Sequence, residues 1–543
     1  MKLVTVSEML EIEQEANANG LSYDEMMENA GRGLAEVLLE EYQELESPRA
    51  LGLIGSGNNG GDTLVALAIL AKAGWRANAY VVKTREPNDP LVARLEKNGG
   101  VIYTIEKDGD LRILVDLIRE HNILMDGVLG TGIKLPLRGK ISEVLSITGE
   151  FLGEIEDPPE VIAVDCPSGI DCDTGEAAPE CIRADITVTM AAIKRGLLIF
   201  PAYNYVGRLR LVSIGLKPQD KRSKTWRKIK TIVADADLVR KILPERPLDA
   251  HKGTFGTALV VAGSVNYTGA AMLSGKAAYR VGAGLVTLAV PAPLHSVLAG
   301  QFPEATWILL PHEMGVISAD AARVLFQNLE RPTAILLGPG FGLEETTRDF
   351  LSILINEPSK KTNRKIGFVS IPSEKEDDDE FTLPPVVIDA DGFKLLKKIK
   401  DWENKLPAPA VLTPHPGEMS FLTDITTSEI QTNRFSIAQG KAREWGHVVV
   451  LKGAHTVVAS PDGRVSVIPV ASPSLARAGT GDVLAGIIVG LIAQGVDPYD
   501  SAVAGCWIHA QAGLYAEAFI GSSASVLAGD VLNMIPEIMS GLA

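Results

Sequence analysis

Short apolar runs alternate along the chain with longer segments whose apolar residues recur every three or four positions. The first pattern is that of a buried strand, the second that of a helix lying against it. The opening reads as two helices. Ser7 is placed to cap the first, and Met26, Ala30, Leu34, Val37 and Leu38 share one face of the second. A strand over 50–54 ends in Gly55-Ser-Gly-Asn-Asn-Gly-Gly-Asp62, and a helix is predicted from about Thr63 to Ala73. Strands over 77–82 and 101–105 follow, with helices near 90–98 and 111–120. Strand 123–125 runs into Asp126, and strand 161–164 into Asp165. Such alternation predicts an α/β fold with a parallel sheet covered on both faces. Chemistry in these sheets collects at the carboxyl ends of strands. Polar motifs stand at three such ends, after residues 54, 125 and 164.

Residues 215–230 are basic and lack apolar periodicity, so they read as a solvated linker between two domains, here bounded as 1–216 and 231–543 with 217–230 between them. Strands and helices then begin again. Strand 257–262 leads to Gly263-Ser264, and helix 269–281 ends at Gly282-Ala-Gly284. Strands 285–290, 334–337, 386–388, 410–412 and 447–451 follow. The last four open into Gly338-Pro-Gly-Phe-Gly342, Asp389-Ala-Asp391, Thr413-Pro-His-Pro-Gly-Glu418 and Lys452-Gly-Ala-His-Thr456. A glycine turn, Ala478-Gly-Thr-Gly-Asp482, enters an apolar helix, and two more apolar helices complete the chain. Residues 358–380 join a basic run to an acidic one and read as a surface insertion.

The length of 543 residues exceeds one comfortable core and agrees with two domains. A net charge of −16 argues against general affinity for nucleic acid or an anionic membrane. The four cysteines, Cys166, Cys172, Cys181 and Cys506, show neither zinc spacing nor a disulfide framework, which fits a reducing cytoplasm. No signal peptide or membrane span is expected.

The glycine turns carry the candidate chemistry. A helix start has unpaired N–H groups and a positive dipole end, and glycines let a phosphate approach them. In Ala478–Asp482 the acid is the odd member, because a P-loop carries Lys to bind phosphate. Asp482 therefore reads either as a base that takes a hydroxyl proton near a phosphoryl group or, like Thr480, as a plain helix N-cap. Gly57–Asp62 reads as an anion-accepting turn or a simple strand-to-helix turn. Asp126 precedes a second flexible loop, Gly127 to Gly132. Asp165 suits a fixed acid or base, or hydrogen bonding to its own turn. Asn59, Asp126 and Ser168 offer hard oxygen ligands, which favour an alkali or alkaline-earth cation. Lys452–Thr456 suits a nucleotide phosphate, and His415 a substrate contact. Together these imply activation of a hydroxyl toward a nucleotide's terminal phosphoryl group, with a divalent cation arriving on the nucleotide.

In combination the motifs resemble a known family. Gly55–Asp62, Asp126 with Gly130-Thr-Gly132, and Val164–Gly169 are similar to the NAD(P)HX epimerase domain. The motifs of the second half resemble the NAD(P)HX dehydratase of the ribokinase-like superfamily, and the order is that of the bifunctional enzymes of bacteria and archaea. The resemblance implies a Rossmann-like doubly wound domain followed by a ribokinase-like α/β domain. It implies repair of hydrated nicotinamide cofactors: the R and S forms of NADHX and NADPHX are interconverted, and the S form is dehydrated with ADP. By that match Asn58, Asn59, Gly60, Gly61 and Asp62, with Gly130, Thr131, Gly132, Ile133, Lys134, Leu135 and Pro136, would hold the hydrate in the epimerase. Asp165 would bind it and move a proton. Asn59, Asp126 and Ser168 would hold K+. In the dehydratase Gly342, His415 and Asp482 would meet the hydrate, with Asp482 as base. Lys452, Gly453, Ala454, His455, Thr456 and Gly481 would meet the adenine nucleotide, which brings Mg2+. A cytoplasmic homo-oligomer is expected. Thr63 departs from the family, which usually has glycine there. A vitamin-type kinase is the nearest alternative, and a first domain acting only as a binding module is another.

Overall fold

Seven parallel strands form the sheet of the first unit: Arg49–Ile54 (β1), Arg76–Val81 (β2), Val101–Thr104 (β3), Ile123–Gly127 (β4), Glu160–Val164 (β5), Ile186–Met190 (β6) and Arg208–Val212 (β7). Their order is β3-β2-β1-β4-β5-β6-β7. The order reverses between β1 and β4, and the crevice at such a point is where doubly wound sheets take ligands. The computed structural model describes residues 1–86, 88–217, 219–356 and 383–542, which divide into the units Met1–Thr231 and Ile232–Ala543. The charged insertion 358–380 lies outside the described residues.

Helix α1 (Val6–Ala18) is capped by Thr5, not Ser7: the Glu8 N–H donates to the Thr5 hydroxyl and the Thr5 N–H to the Glu8 carboxylate. That reciprocal pair satisfies two donors where Ser7 would satisfy one. Helix α2 (Tyr23–Glu41) buries Met26, Ala30, Leu34 and Leu38, the face its periodicity predicts. Helix α3 (Asn58–Lys72) begins five residues before the expected start. Asn58–Asp62 is thus its first turn, not a loop. Its glycines are there for packing: a Cβ on Gly60 would come within 2.1 Å of the Gly55 carbonyl oxygen, and one on Gly61 within 2.8 Å of Met27. Thr63 fills space left by Gly127, where a Cβ would lie 2.0 Å from its Oγ1, and its hydroxyl donates to the Asn59 carbonyl at 2.7 Å.

The stretch 217–230 is more than a connector. It holds a short helix, Lys224–Lys228, whose Trp226 is buried and donates through Nε1 to the Lys217 carbonyl at 2.7 Å, while Ser223 donates to Glu15 on α1 at 2.6 Å. The basic side chains set the composition, but the single tryptophan sets the packing.

The second unit has a ten-stranded sheet. Its strands are Thr231–Val233 (β8), Thr257–Val261 (β9), Leu285–Pro291 (β10), Thr306–Leu310 (β11), Ala334–Leu337 (β12), Val386–Ile388 (β13), Val411–Leu412 (β14), Val448–Leu451 (β15), Val457–Ala459 (β16) and Val465–Val467 (β17). The order is β8-β17-β16-β15-β14-β13-β12-β9-β10-β11. Pairing is parallel from β15 to β11 and antiparallel through β15, β16 and β17. Helix α4 (Gly269–Arg280) lies against α5 (Thr480–Ala493), the helix that carries Asp482. Their backbones nearly touch. A Cβ on Gly486 would meet the Ser274 carbonyl oxygen at 2.2 Å, and one on Gly490 the Ala278 Cα at 2.8 Å. Among the described residues, no helix is long and apolar enough to cross a membrane.

Candidate active sites

At the carboxyl end of β5, Asp165 takes a left-handed backbone conformation, φ +65°. Non-glycine residues adopt it only when the surroundings hold them there. Its carboxylate accepts from the Met190 N–H at 2.9 Å and the Thr189 hydroxyl at 3.1 Å, and it pairs with the Lys194 ammonium. Lys194 is only 1 % exposed; it also donates to the Met190 carbonyl at 2.9 Å. Two further carboxyls share this space. Burial, then the charges of Asp165 and Glu13, push Asp62 well above the usual carboxylate range. Burial also raises Glu13. The cluster therefore sets the Asp165–Lys194 salt bridge beside two carboxyls whose pKa burial raises, an arrangement suited to acid–base chemistry. Lys194 and Glu13 were not singled out from sequence. Lys194 is the first of two adjacent cations after an apolar run, placed by the parallel pairing of Leu3–Val4 with Ile193–Lys194.

Beside it, Asp126 and Ser168 are in direct contact, and Asn59 is linked to them through Leu129. The Ser168 N–H donates to Asp126 Oδ2 at 2.7 Å and its hydroxyl to Oδ1 at 2.5 Å. The Leu129 N–H donates to Ser168 Oγ at 2.8 Å, and Asn59 Nδ2 donates to the Leu129 carbonyl at 3.0 Å. Burial raises Asp126 and the Ser168 bonds lower it, while no basic side chain offsets it. Hard oxygen donors of this kind suit an alkali or alkaline-earth cation. Gly130 must be small here, since a Cβ would lie 2.8 Å from Asn59 Oδ1. The rest of the 130–136 segment is loop after β4.

In the second unit, Asp482 stands in the first turn of α5, and neither it nor Thr480 caps that helix. The N-cap is Gly479, φ +89°, with no side-chain cap bond. Thr480 Oγ1 instead donates to the carbonyls of Leu475 at 2.9 Å and Arg477 at 2.8 Å. Burial, then the charges of Asp389, Asp391 and Glu418, push Asp482 up to about 7, with Lys452 opposing. A base with that pKa is matched to neutral pH. Lys452 Nζ lies 2.7 Å from Asp389 Oδ1 and 3.8 Å from Glu418 Oε2. Asp389 is 1 % exposed and also accepts from the Thr413 hydroxyl at 2.7 Å. Gly481 lies over this pair, where a Cβ would come within 3.4 Å of Lys452 Nζ. Gly342, φ +80°, donates its N–H to Asp391 at 3.1 Å.

His415 caps the helix Pro416–Thr423: its Nδ1 accepts from the N–H groups of Gly417 at 3.0 Å and Glu418 at 3.2 Å. Burial and Lys452 depress its pKa. The neutral ring therefore carries its proton on Nε2, so it serves as a hydrogen-bond donor and not as a base. Glu418 completes the cap by accepting from the His415 N–H at 2.8 Å, and burial raises it to about 7. In the 452–456 loop, Gly453 and Ala454 are exposed, whereas His455 is buried, and its backbone N–H donates to the Val470 carbonyl at 3.0 Å. The side chain of His455 is therefore turned into the protein, and only its backbone belongs to the loop surface. Asp389 and Asp391 were seen in sequence only as a strand end. Among the described residues, no three His, Cys, Asp or Glu side chains are arranged to hold a metal ion.

Residues 258–537 match the NAD(P)H-hydrate dehydratase family and residues 23–196 the family described as YjeF-related protein N-terminus. The chain is 34% identical to the bifunctional NAD(P)H-hydrate repair enzyme Nnr of Moorella thermoacetica, over 100% of this chain and 97% of that one. It is 33% identical to the corresponding Salinibacter ruber enzyme, over 96% and 92%. The crystal structure of the ADP/ATP-dependent NAD(P)H-hydrate dehydratase of Bacillus subtilis is 28% identical, covering 57% of this chain and 98% of that one, with a TM-score of 0.46. The chain belongs to the family of bifunctional NAD(P)H-hydrate repair enzymes, in which an epimerase half precedes a dehydratase half.

Proposed function

We propose that the first unit interconverts the R and S hydrates of NADH and NADPH, and that the second dehydrates the S form with ADP as phosphoryl donor. Residues 1–216 form the epimerase domain and 231–543 a ribokinase-like dehydratase domain. In the epimerase, Asn58–Asp62 and Gly130–Pro136 line the hydrate site, and Asp165 binds the hydrate and serves as the proton-transfer group. Asn59, Asp126 and Ser168 hold K+, which supplies a fixed positive charge beside the substrate.

In the dehydratase, Asp482 takes the proton of the ring hydroxyl as its oxygen accepts the terminal phosphoryl group of ADP, leaving AMP. The carbon–oxygen bond then breaks, phosphate departs, and loss of a ring proton restores the double bond. Gly342 and His415 contact the hydrate, with His415 donating from Nε2. The 452–456 loop and Gly481 contact the nucleotide. Mg2+ enters with the nucleotide and offsets its phosphate charge. The enzyme works in the cytoplasm as a homo-oligomer.

The observation that carries this reading is Asp482: an uncapping carboxylate in the first turn of a glycine-entered helix, tuned to about 7. The test supplies mixed NADH hydrates with ADP or ATP, Mg2+ and K+, and follows reduced-nicotinamide absorbance. Full recovery with ADP is expected. No recovery with either nucleotide removes the dehydratase, and a stall at the S fraction removes the epimerase. A stable phosphorylated product would indicate a kinase.

A further inference from the structure

Behind the 452–456 loop lies a cation to which the reading above gives no task. Arg434 opens the helix Arg434–Trp445. Its Nη2 donates to the carbonyls of Leu451 at 2.8 Å and Lys452 at 3.1 Å, and its Nη1 to Gln431 Oε1 at 2.8 Å. Its Nε is buried without a hydrogen-bond partner. A Cβ on Gly453, φ +134°, would lie 3.2 Å from Nη1 and 3.3 Å from Nη2. The guanidinium is therefore packed directly under the loop's most unusual backbone.

All three acceptors are neutral, and among the described residues no carboxylate pairs with Arg434. Burial pulls its pKa down to about 10, with no opposing carboxylate contribution, and its charge helps depress the buried His455 ring. Arg434 is half-buried, with its Nε enclosed, and a cation held partly out of water is ordinarily paired because leaving it unpaired is costly. A purely structural tie between two carbonyls needs no net charge; an amide would serve. What a guanidinium adds is a permanent positive charge in a fork that suits anions. The loop it supports is the one proposed to receive nucleotide phosphates, which would supply the missing counter-charge.

We propose that Arg434 is the positioning residue of the nucleotide site: it locks the 452–456 loop through the Leu451 and Lys452 carbonyls and leaves its charge to be answered by the phosphates of the adenine nucleotide. This rests on the reading that the loop holds the nucleotide, and the test separates the two. Full-length Arg434→Gln and Arg434→Lys are compared with Gly453→Val. The readouts are KM for ADP, KM for the S hydrate, kcat, and the rise in Tm that ADP produces without hydrate.

Arg434→Gln should raise KM for ADP about tenfold or more, the size of a lost charge-assisted contact. It should abolish most of the ADP-dependent rise in Tm and leave kcat at saturating ADP and KM for the hydrate near wild type. Arg434→Lys, which keeps charge but loses the fork, should raise KM for ADP by about threefold or more. A folded Lys variant with wild-type affinity for ADP overturns the proposal, even where the Gln variant fails to fold. So does a Gln variant whose Tm falls while KM for ADP stays unchanged. If Gly453→Val also leaves ADP binding intact, the loop reading itself is wrong; if it weakens ADP while both Arg434 variants bind normally, only the role of Arg434 fails.

Discussion

Replacing Gly486 by alanine adds one methyl group at the closest approach in the second unit. That carbon would sit 2.2 Å from the Ser274 carbonyl oxygen, 2.7 Å from its Cα and 2.8 Å from its carbonyl carbon. All three are backbone atoms, so no side chain can swing aside. Helices α4 and α5 must separate by roughly 1 Å to restore ordinary contact. Overpacking of this kind costs about 1–3 kcal/mol, and the upper end applies where backbone opposes backbone. Exchanging glycine for alanine inside a helix returns about 1 kcal/mol. The net loss is about 2 kcal/mol, or roughly 3 °C in Tm for a unit of this size, taking about 2.1 cal/mol/K of unfolding entropy per residue. The same shift stretches the bond from Ser274 Oγ to the Asp482 carbonyl, now 2.9 Å, and so moves the base. A misplacement of about 1 Å costs up to about 100-fold in rate. The assay pairs thermal unfolding with turnover of the pure S hydrate, using epimerase activity in the same chain as an internal reference. Gly440→Ala is the control: it is also helical, has nothing within 4 Å of an added Cβ, and should stabilise by up to about 1 kcal/mol. If Gly486→Ala unfolds and turns over like wild type, the close approach and its link to Asp482 are both refuted.

Four further outcomes are expected. Asp482→Asn should abolish recovery of NADH while keeping ADP binding, as read by ligand-dependent Tm; loss of ADP binding would make Asp482 structural. The folded-state pKa of Asp482 is raised to about 7, so its contribution to stability is complete at low pH and lost as pH rises through that value. The Tm advantage of Asp482→Asn over wild type should therefore grow between pH 4.5 and pH 8, and a constant difference would contradict it. Asp389→Asn removes the neighbouring charge that most raises Asp482, so the acid limb of dehydratase kcat/KM should move to lower pH; a limb that stays put or moves alkaline assigns it to another group. Lys194→Met leaves the Asp165 carboxylate buried without its cation, which should destabilise the first unit by about 3–5 kcal/mol and suppress epimerisation while S-hydrate turnover survives; wild-type epimerase rates would exclude Lys194 from the site.

The strand ends were legible because short apolar runs stop at polar, glycine-rich stretches: Asp165, Gly338 and Lys452 follow strands directly, and Asp126 is the penultimate residue of β4. Strands β12 and β13 have the expected bounds. What pairing alone decides was not legible. Strand β6 carries Thr187 and Thr189 within its apolar run, and β7 lies at the sheet edge with exposed arginines. The glycines of Asn58–Asp62 look like loop residues, yet they allow α3 to start tight against β1. Lys194 and Arg434 gave no local signal: each is one cation whose meaning comes from carbonyls and carboxylates far away in sequence. The N-cap reading of Asp482 failed because Gly479 takes that position.

The pairing of Leu3–Val4 with Ile193–Lys194 also bears on synthesis. Two strands about 190 positions apart must meet before the ammonium of Lys194 is fixed against Asp165. At about 5–20 residues per second, the ribosome takes roughly 10–40 s between making one and the other. During that interval Leu3 and Val4 have no partner, and Asp165 is made before its counter-ion. The epimerase is therefore assembled from both ends of its own coding length, and a nascent chain halted before Ile193 should hold much of the sheet but no finished site.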